Sequence, residues 1–400
     1  MSHHPTTDAI HAGDGARLDA TPLTTPIYAT STFVFDSAAD LEAYQEGRSG
    51  KYIYSRYANP TVQAAEAKIA ALEGAEAALV TSSGMAATAT ALFGLLQTGD
   101  EVVCSAAIYG GTLQVLVQQL HRFGVRVRFA SLQELADPDY LLGPDTRVLW
   151  FESPINPTLR CVDISRTAAA CRARNVVSII DNTFASPINQ QPLSYGVDLV
   201  MHSATKYLNG HSDVTAGVLA GSTAMIDRLA SARKLFGGVL EPASAYALGR
   251  GLKTLEVRVL RQNATALAVA EWLSTQPQVV GVLYPGLPSH PDHAVARRQM
   301  RGFGGMVTFD VDSYEAASRT FDRLTLIKRA ASLGGVESLC SLPVLTSQYG
   351  LTDDQLRAAG VTRGMLRLSI GLEHPDDLIA DLEKALATLN LELGTQKSAP

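Results

Sequence analysis

The chain has 400 residues, 46% hydrophobic and 18% charged, and its 33 basic and 39 acidic residues leave a net charge of −6. That length exceeds one compact core and predicts two domains with an extra arm. The mild acidity argues against nucleic acid or an anionic membrane as partner, and no uncharged apolar stretch is long enough to span a bilayer. Four cysteines (Cys104, Cys161, Cys171, Cys340) show no CxxC spacing and read as reduced, mostly buried thiols. With no apolar h-region in residues 1–12, the expected location is the cytoplasm.

Residues 1–60 are rich in Thr, Pro, Gly and Tyr, and only residues 36–45 have a helical pattern, so the segment reads as an extended arm that needs another surface to pack on. Helix and strand patterns then alternate. Helices are expected at 63–73 and 85–96, and strands at 77–80, 101–104, 125–129, 148–151, 176–180 and 197–201. Such runs, apolar on both faces, fit a parallel sheet covered by helices. A longer helix begins over 249–263 and links to a second domain. There, 306–310 and 365–370 read as strands, 314–324 and 376–389 as helices, and 394–400 as a frayed end. The expected division is an arm at 1–60, a large domain at 61–255 and a smaller α+β domain at 256–400.

Six segments carry residues suited to chemistry. Tyr52-Ile53-Tyr54-Ser55-Arg56-Tyr57-Ala58-Asn59-Pro60-Thr61 is dense in Tyr and Arg. Its arginine fork suits phosphate or carboxylate, and the aromatics equally suit anchoring the arm to a neighbouring subunit. Thr81-Ser82-Ser83-Gly84-Met85 lies between a strand and a helix. Amides at a helix start make an anion site; an N-cap in a tight turn is the alternative. Tyr109 beside Gly110 and Gly111 can lie flat on a planar ring or serve as acid or base, or be a turn tyrosine. Asp181 ends a parallel strand, at the sheet edge where ligands sit, and could pair with a pyridinium nitrogen or cap its loop.

Lys206, in Met201-His202-Ser203-Ala204-Thr205-Lys206-Tyr207, follows a strand and stands among small hydroxyl residues. It can condense with an aldehyde cofactor while Ser203 and Thr205 hold a phosphate. A solvated surface lysine is the alternative. Arg367 is a charge inside the apolar run Met365-Leu366-Arg367-Leu368-Ser369, where it needs an anion: a substrate carboxylate or a structural salt bridge. His202 and His211 flank the lysine, but no set of side chains has metal-ligand spacing, so packing or hydrogen bonding is the expected role and no metal is expected.

Together, Ser-Ala-Thr-Lys-Tyr-Leu-Asn-Gly-His-Ser-Asp (203–213), Tyr-Ser-Arg-Tyr-Ala-Asn-Pro-Thr (54–61) and Ser-Leu-Gly-Gly-Val-Glu-Ser-Leu (332–339) resemble the Cys/Met-metabolism family of pyridoxal-phosphate enzymes. The resemblance runs from about residue 7 to residue 389. It implies pyridoxal 5′-phosphate as cofactor. It also implies the aspartate-aminotransferase-like fold type I, an α/β architecture with a mostly parallel seven-stranded sheet, an N-terminal arm and a smaller C-terminal domain. Lys206 would hold the cofactor aldehyde, and Gly84, Met85, Ser203 and Thr205 its phosphate. Asp181 would pair with the pyridine nitrogen and Tyr109 stack on the ring. Tyr54 and Arg56 would reach the phosphate of a neighbouring subunit, in a homotetramer built as a dimer of dimers. Arg367, with Asn156 and Ser332, would grip the substrate carboxylate. Lys206 would move the Cα and Cβ protons, and Tyr109 would protonate the group leaving Cγ.

Within the family, Ala331 stands where many cystathionine enzymes have glutamate, Gly111 where typical methionine γ-lyases have cysteine, and Gln114 where animal-type cystathionine γ-lyases have arginine. Ile53, Leu113 and Ala331 suggest a distal pocket with little fixed charge. The leading expectation is a γ-lyase acting on a methionine-, homocysteine- or cystathionine-like amino acid, with an oxygen-linked substituent also open. The alternatives are γ-replacement (cystathionine γ-synthase or acyl-homoserine sulfhydrylase) and cystathionine β-lyase. An aminotransferase fits less well, and a non-catalytic cofactor-binding protein is disfavoured by the intact lysine, aspartate, tyrosine and arginine.

Overall fold

The structure, a computed structural model, describes residues 21–387. The expectations for residues 1–20 and for the C-terminal end beyond 387 lie outside the described residues. Seven strands form the larger sheet: β1 (Ala77–Thr81), β2 (Glu101–Ser105), β3 (Arg126–Ala130), β4 (Thr146–Glu152), β5 (Val177–Asp181), β6 (Leu199–His202) and β7 (Gly217–Gly221). Their order is β1-β7-β6-β5-β4-β2-β3. The run from β6 through β3 is parallel, and β7 lies antiparallel to both β6 and β1. The mostly parallel seven-stranded sheet expected from the motifs is thus present. Val148, Leu149, Trp150 and Phe151 of β4 are all inaccessible to solvent, because helices cover both faces and the strand can be apolar throughout. Strand β7 escaped the sequence reading because Gly-Val-Leu-Ala-Gly is glycine-bounded. Gly217 is needed there, since a Cβ would lie 2.1 Å from the carbonyl oxygen of Ser83.

The second sheet has five strands in the order β10-β11-β12-β9-β8, formed by β8 (Gly281–Leu283), β9 (Met306–Asp310), β10 (Lys328–Arg329), β11 (Leu339–Ser341) and β12 (Met365–Ser369). Phe309, Leu366 and Leu368 of its strands pack with Leu378 and Leu382 of the helix Pro375–Leu386 in one core. The two sheets are joined differently from expectation. In place of one long helix there are two, Pro242–Leu252 and Leu255–Leu273. The carbonyl of Gly251 is taken by the Thr254 hydroxyl (3.2 Å) and by Arg258 (2.9 Å), which satisfies the first helix end and lets the chain turn.

Residues 21–58 lie on or near the surface. Their helix, Ala38–Gln45, buries no side chain, and Leu23 and Val34 are 101% and 88% exposed. The segment ends where Asn59 caps the helix Pro60–Glu73, its side chain accepting the Thr61 amide at 2.9 Å with proline at the first helical position. Among the described residues no helix is long and apolar enough to cross a membrane.

Candidate active site

Parallel strands that end together place their last residues on one edge. The ends of β4, β5 and β6 bring Glu152, Asp181 and the segment 203–206 to a cavity of about 630 Å³, which is closed from the other side by Ser332 and Arg367 of the second sheet region. Gly84, Met85, Ser203 and Thr205 line one part of it, and Tyr109, Asn156, Asp181 and Lys206 are also in its lining.

Ser83 caps the helix Gly84–Leu95, its hydroxyl accepting the Ala86 amide at 3.0 Å. Amides in that first turn have no intrahelical acceptor and carry the positive end of the helix dipole. Gly84 lets this turn meet the lysine loop, because a Cβ would lie 3.0 Å from the Cβ of Ser203. The loop is itself pinned. Thr183 Oγ1 accepts the Ser203 amide at 2.9 Å, and the Thr205 hydroxyl both accepts the Ala216 amide and donates to its carbonyl.

Glu152 and Asp181 are paired across β4 and β5. Asp181 Oδ1 accepts both the amide (3.0 Å) and the hydroxyl of Thr183. Burial raises the Asp181 carboxyl above its ordinary value, with the Thr183 hydrogen bonds opposing. Glu152 is pushed well above the carboxylate range by burial first and then by the charge of Asp181.

Lys206 Nζ donates to Ser332 Oγ at 3.0 Å. Burial, and then the positive charge of Arg367, hold its amine below the ordinary lysine value. Tyr109 precedes the helix Gly110–Gln118, is half-exposed, and donates its amide to Glu152 Oε1 at 2.5 Å. Arg367 lies within β12 and is buried. It donates to Asn156 Oδ1 (2.7 Å) and to the Ser332 carbonyl (3.2 Å), both neutral oxygens. Its Nε has no partner, and burial lowers its guanidinium to about 10. A buried guanidinium with neutral partners and an orphan donor is set for an incoming anion.

Tyr54 and Arg56 stand outside this cavity. Arg56 donates to the Lys234 carbonyl at 2.7 Å near the end of the helix Thr223–Phe236, and Tyr54 is 42% exposed. His202 pairs with Glu73 in the interior, and His211 Nδ1 meets the Asn209 carbonyl, so both have hydrogen-bond partners. The sequence reading missed Glu152 and Thr183. Glu152 carries the same signal that drew notice to Asp181, an acid ending an apolar run.

The sequence profile of the Cys/Met metabolism PLP-dependent enzymes matches residues 6–387. The chain belongs to that family, and it is an enzyme of the pyridoxal 5′-phosphate class, as its motifs suggested. It is 42% identical to an L-methionine gamma-lyase of Fusobacterium nucleatum subsp. polymorphum over 95% of this chain and 97% of that protein. It is 40% identical to cystathionine gamma-synthase 1, chloroplastic, of Arabidopsis thaliana over 95% of this chain and 68% of that one. The crystal structure of metB from Corynebacterium glutamicum superposes with a TM-score of 0.87 at 38% identity, covering 96% of this chain and 98% of that chain.

Proposed function

We propose that the protein is a γ-lyase, which performs α,γ-elimination on a Cγ-substituted L-amino acid and releases a 2-oxo acid, ammonia and the substituent. The observation that carries this reading is the distribution of charge in the cavity. Among the described residues lining it, the acidic and basic side chains are Glu152, Asp181, Lys206 and Arg367. Both acids sit at strand ends, and the remaining walls include Met85, Pro154, Ala331, Leu333 and Leu345. The described residues lining it in one chain leave no further charge to read an ionised group beyond Cγ, which suits a thiol, a methylthio group or a small oxygen-linked substituent. The 42% identity to an L-methionine gamma-lyase supports the same class.

The residues fit the cofactor. The turn at Gly84 and Met85, with the Ser203 and Thr205 hydroxyls, offers a phosphate cradle that a Cβ at position 84 would crowd. Lys206 would hold the aldehyde, Asp181 the pyridine nitrogen, and Tyr109 one face of the ring. When bound, pyridoxal phosphate supplies an electron sink for charge left at Cα. Arg367, steadied by Asn156 and Ser332, holds the substrate carboxylate. Lys206 takes the Cα proton and assists loss of the Cβ proton; its lowered amine pKa makes the neutral base available nearer neutral pH. The Tyr109 phenol delivers a proton to the group leaving Cγ. Tyr54 and Arg56 serve the phosphate of an adjoining subunit, and two such dimers form a tetramer. The exposed arm and the position of Arg56 outside its own cavity support this sharing.

A second reading, γ-replacement, is favoured by the 40% identity to a cystathionine gamma-synthase and by Gly111. A Cβ at 111 would lie 2.6 Å from the Tyr109 ring and 2.7 Å from Met85 Sδ, so the cysteine of typical methionine γ-lyases would displace Tyr109. The purified, cofactor-loaded protein is to be given methionine, homocysteine, cystathionine, cysteine and acyl-homoserines, each with and without a thiol. A four-carbon 2-oxo acid without thiol supports the lyase. A thioether formed only with thiol selects replacement, and a three-carbon 2-oxo acid means β-elimination.

A further inference from the structure

Glu152 is the buried acid of the cavity that this chemistry leaves unused. It ends β4 opposite Asp181 and is only 4% exposed. Its carboxyl accepts the amide of Tyr109 at 2.5 Å, and the amide of Asn156 lies near enough to act on its pKa. Those amides belong to different loops, one after β2 and one after β4. Asn156 in turn accepts from Arg367. One side chain therefore holds the segment carrying the phenol and stands beside the segment that braces the guanidinium.

The charges around it decide its form. Asp181 faces it from β5 and the Cys104 thiol from β2, while Lys206 and Arg367 line the same cavity. Two carboxylates on adjacent strand ends, away from water, do not both ionise readily. Burial and the Asp181 charge raise Glu152, with the backbone amides of Tyr109 and Asn156 opposing. A neutral carboxyl still offers a carbonyl oxygen to the two amides and adds no second negative charge beside the aspartate.

We propose that Glu152 is a positioning residue, which sets Tyr109 and Asn156 through hydrogen bonds and not through charge. The inference rests on the reading that Tyr109 meets the cofactor and Arg367 the substrate. Its test uses the visible circular dichroism of bound pyridoxal phosphate, cofactor affinity, kcat and KM, and the melting temperature. Glu152→Leu removes the acceptor, whereas Glu152→Gln keeps it without a charge. Displacing a reacting group by about an ångström lowers rate on the order of 10²-fold, which is the kcat/KM loss expected for Glu152→Leu, with an altered dichroic band. Glu152→Gln restores most of that loss and the band. A Gln variant as impaired as the Leu variant overturns the proposal, and so does a Leu variant that matches the parent. If Glu152→Leu fails to fold, the pH profile of Glu152→Gln decides: an unchanged acid limb supports the proposal and a displaced limb overturns it. A parent protein without any visible cofactor band defeats the underlying reading instead, whatever the variants do.

Discussion

Arg367 donates to Asn156 Oδ1 at 2.7 Å, and this bond joins β12 of the smaller sheet to the loop after β4 of the larger one. The carboxylate site proposed for Arg367 therefore depends on the docking of the two sheets. It also leaves one buried guanidinium nitrogen without a partner beside the cavity.

Replacing this arginine tests the carboxylate grip. Arg367→Lys keeps a positive charge but loses the planar fork, and truncating one side of a buried charge contact removes about 2–5 kcal/mol. The expected result is a KM for the amino acid raised on the order of 10²-fold, with cofactor affinity unchanged. Steady-state kinetics beside cofactor titration separate the two.

Lys206 makes a prediction about pH. Its amine is held below the ordinary lysine value, so between the folded and unfolded values the unfolded chain binds more protons. Stability from this group is lowest below its folded pKa and rises as pH increases toward the ordinary lysine range. Lys206→Met removes this rise and abolishes turnover while the chain still folds. Melting of the cofactor-free proteins across alkaline pH checks the first, and the elimination assay the second.

Asp381 predicts a slope of the same sign, but in the acid range. Its carboxylate accepts the amides of Thr325, Leu326 and Ile327 and the Thr325 hydroxyl. Burial raises its pKa, but these hydrogen bonds outweigh burial and leave it below the ordinary value. Its stabilisation is present above the unfolded-state pKa and is lost as pH falls through the folded one. Asp381→Asn turns an amide group toward amide donors and lowers stability by about 1–3 kcal/mol at neutral pH. Urea unfolding of both proteins at neutral and acid pH shows the difference shrinking on acidification.

Arg56 tests the sharing of sites. Arg56→Ala weakens cofactor retention on the order of tenfold through loss of a charged contact to phosphate. Mixing it with Lys206→Ala, after reversible dissociation, regenerates activity if each subunit completes the other's cavity. Absence of any recovery from a mixture shown to contain hybrids removes the shared site.

The elements most legible in the sequence were those with an unbroken local pattern. The strand Met306–Asp310 matches expectation at both ends, and β4 and β5 lie where apolar runs placed them. The glycine-bounded β7 and the break after Leu252 were not legible. Their causes are a carbonyl of Ser83 and a guanidinium of Arg258, distant along the chain. The motif residues likewise announced a chemistry without announcing their neighbours.

By itself the sequence determined the family, the cofactor class and the alternation of strand and helix, because these depend on residue type and short spacing. Only the tertiary structure decided that Lys206 reaches Ser332, 126 positions away, and that Arg367 meets Asn156. It also set Glu152 beside Asp181 and left Arg56 outside its own cavity. Those outcomes follow from strand order and the docking of two sheets, where the burial of apolar faces brings together groups with no local reason to meet.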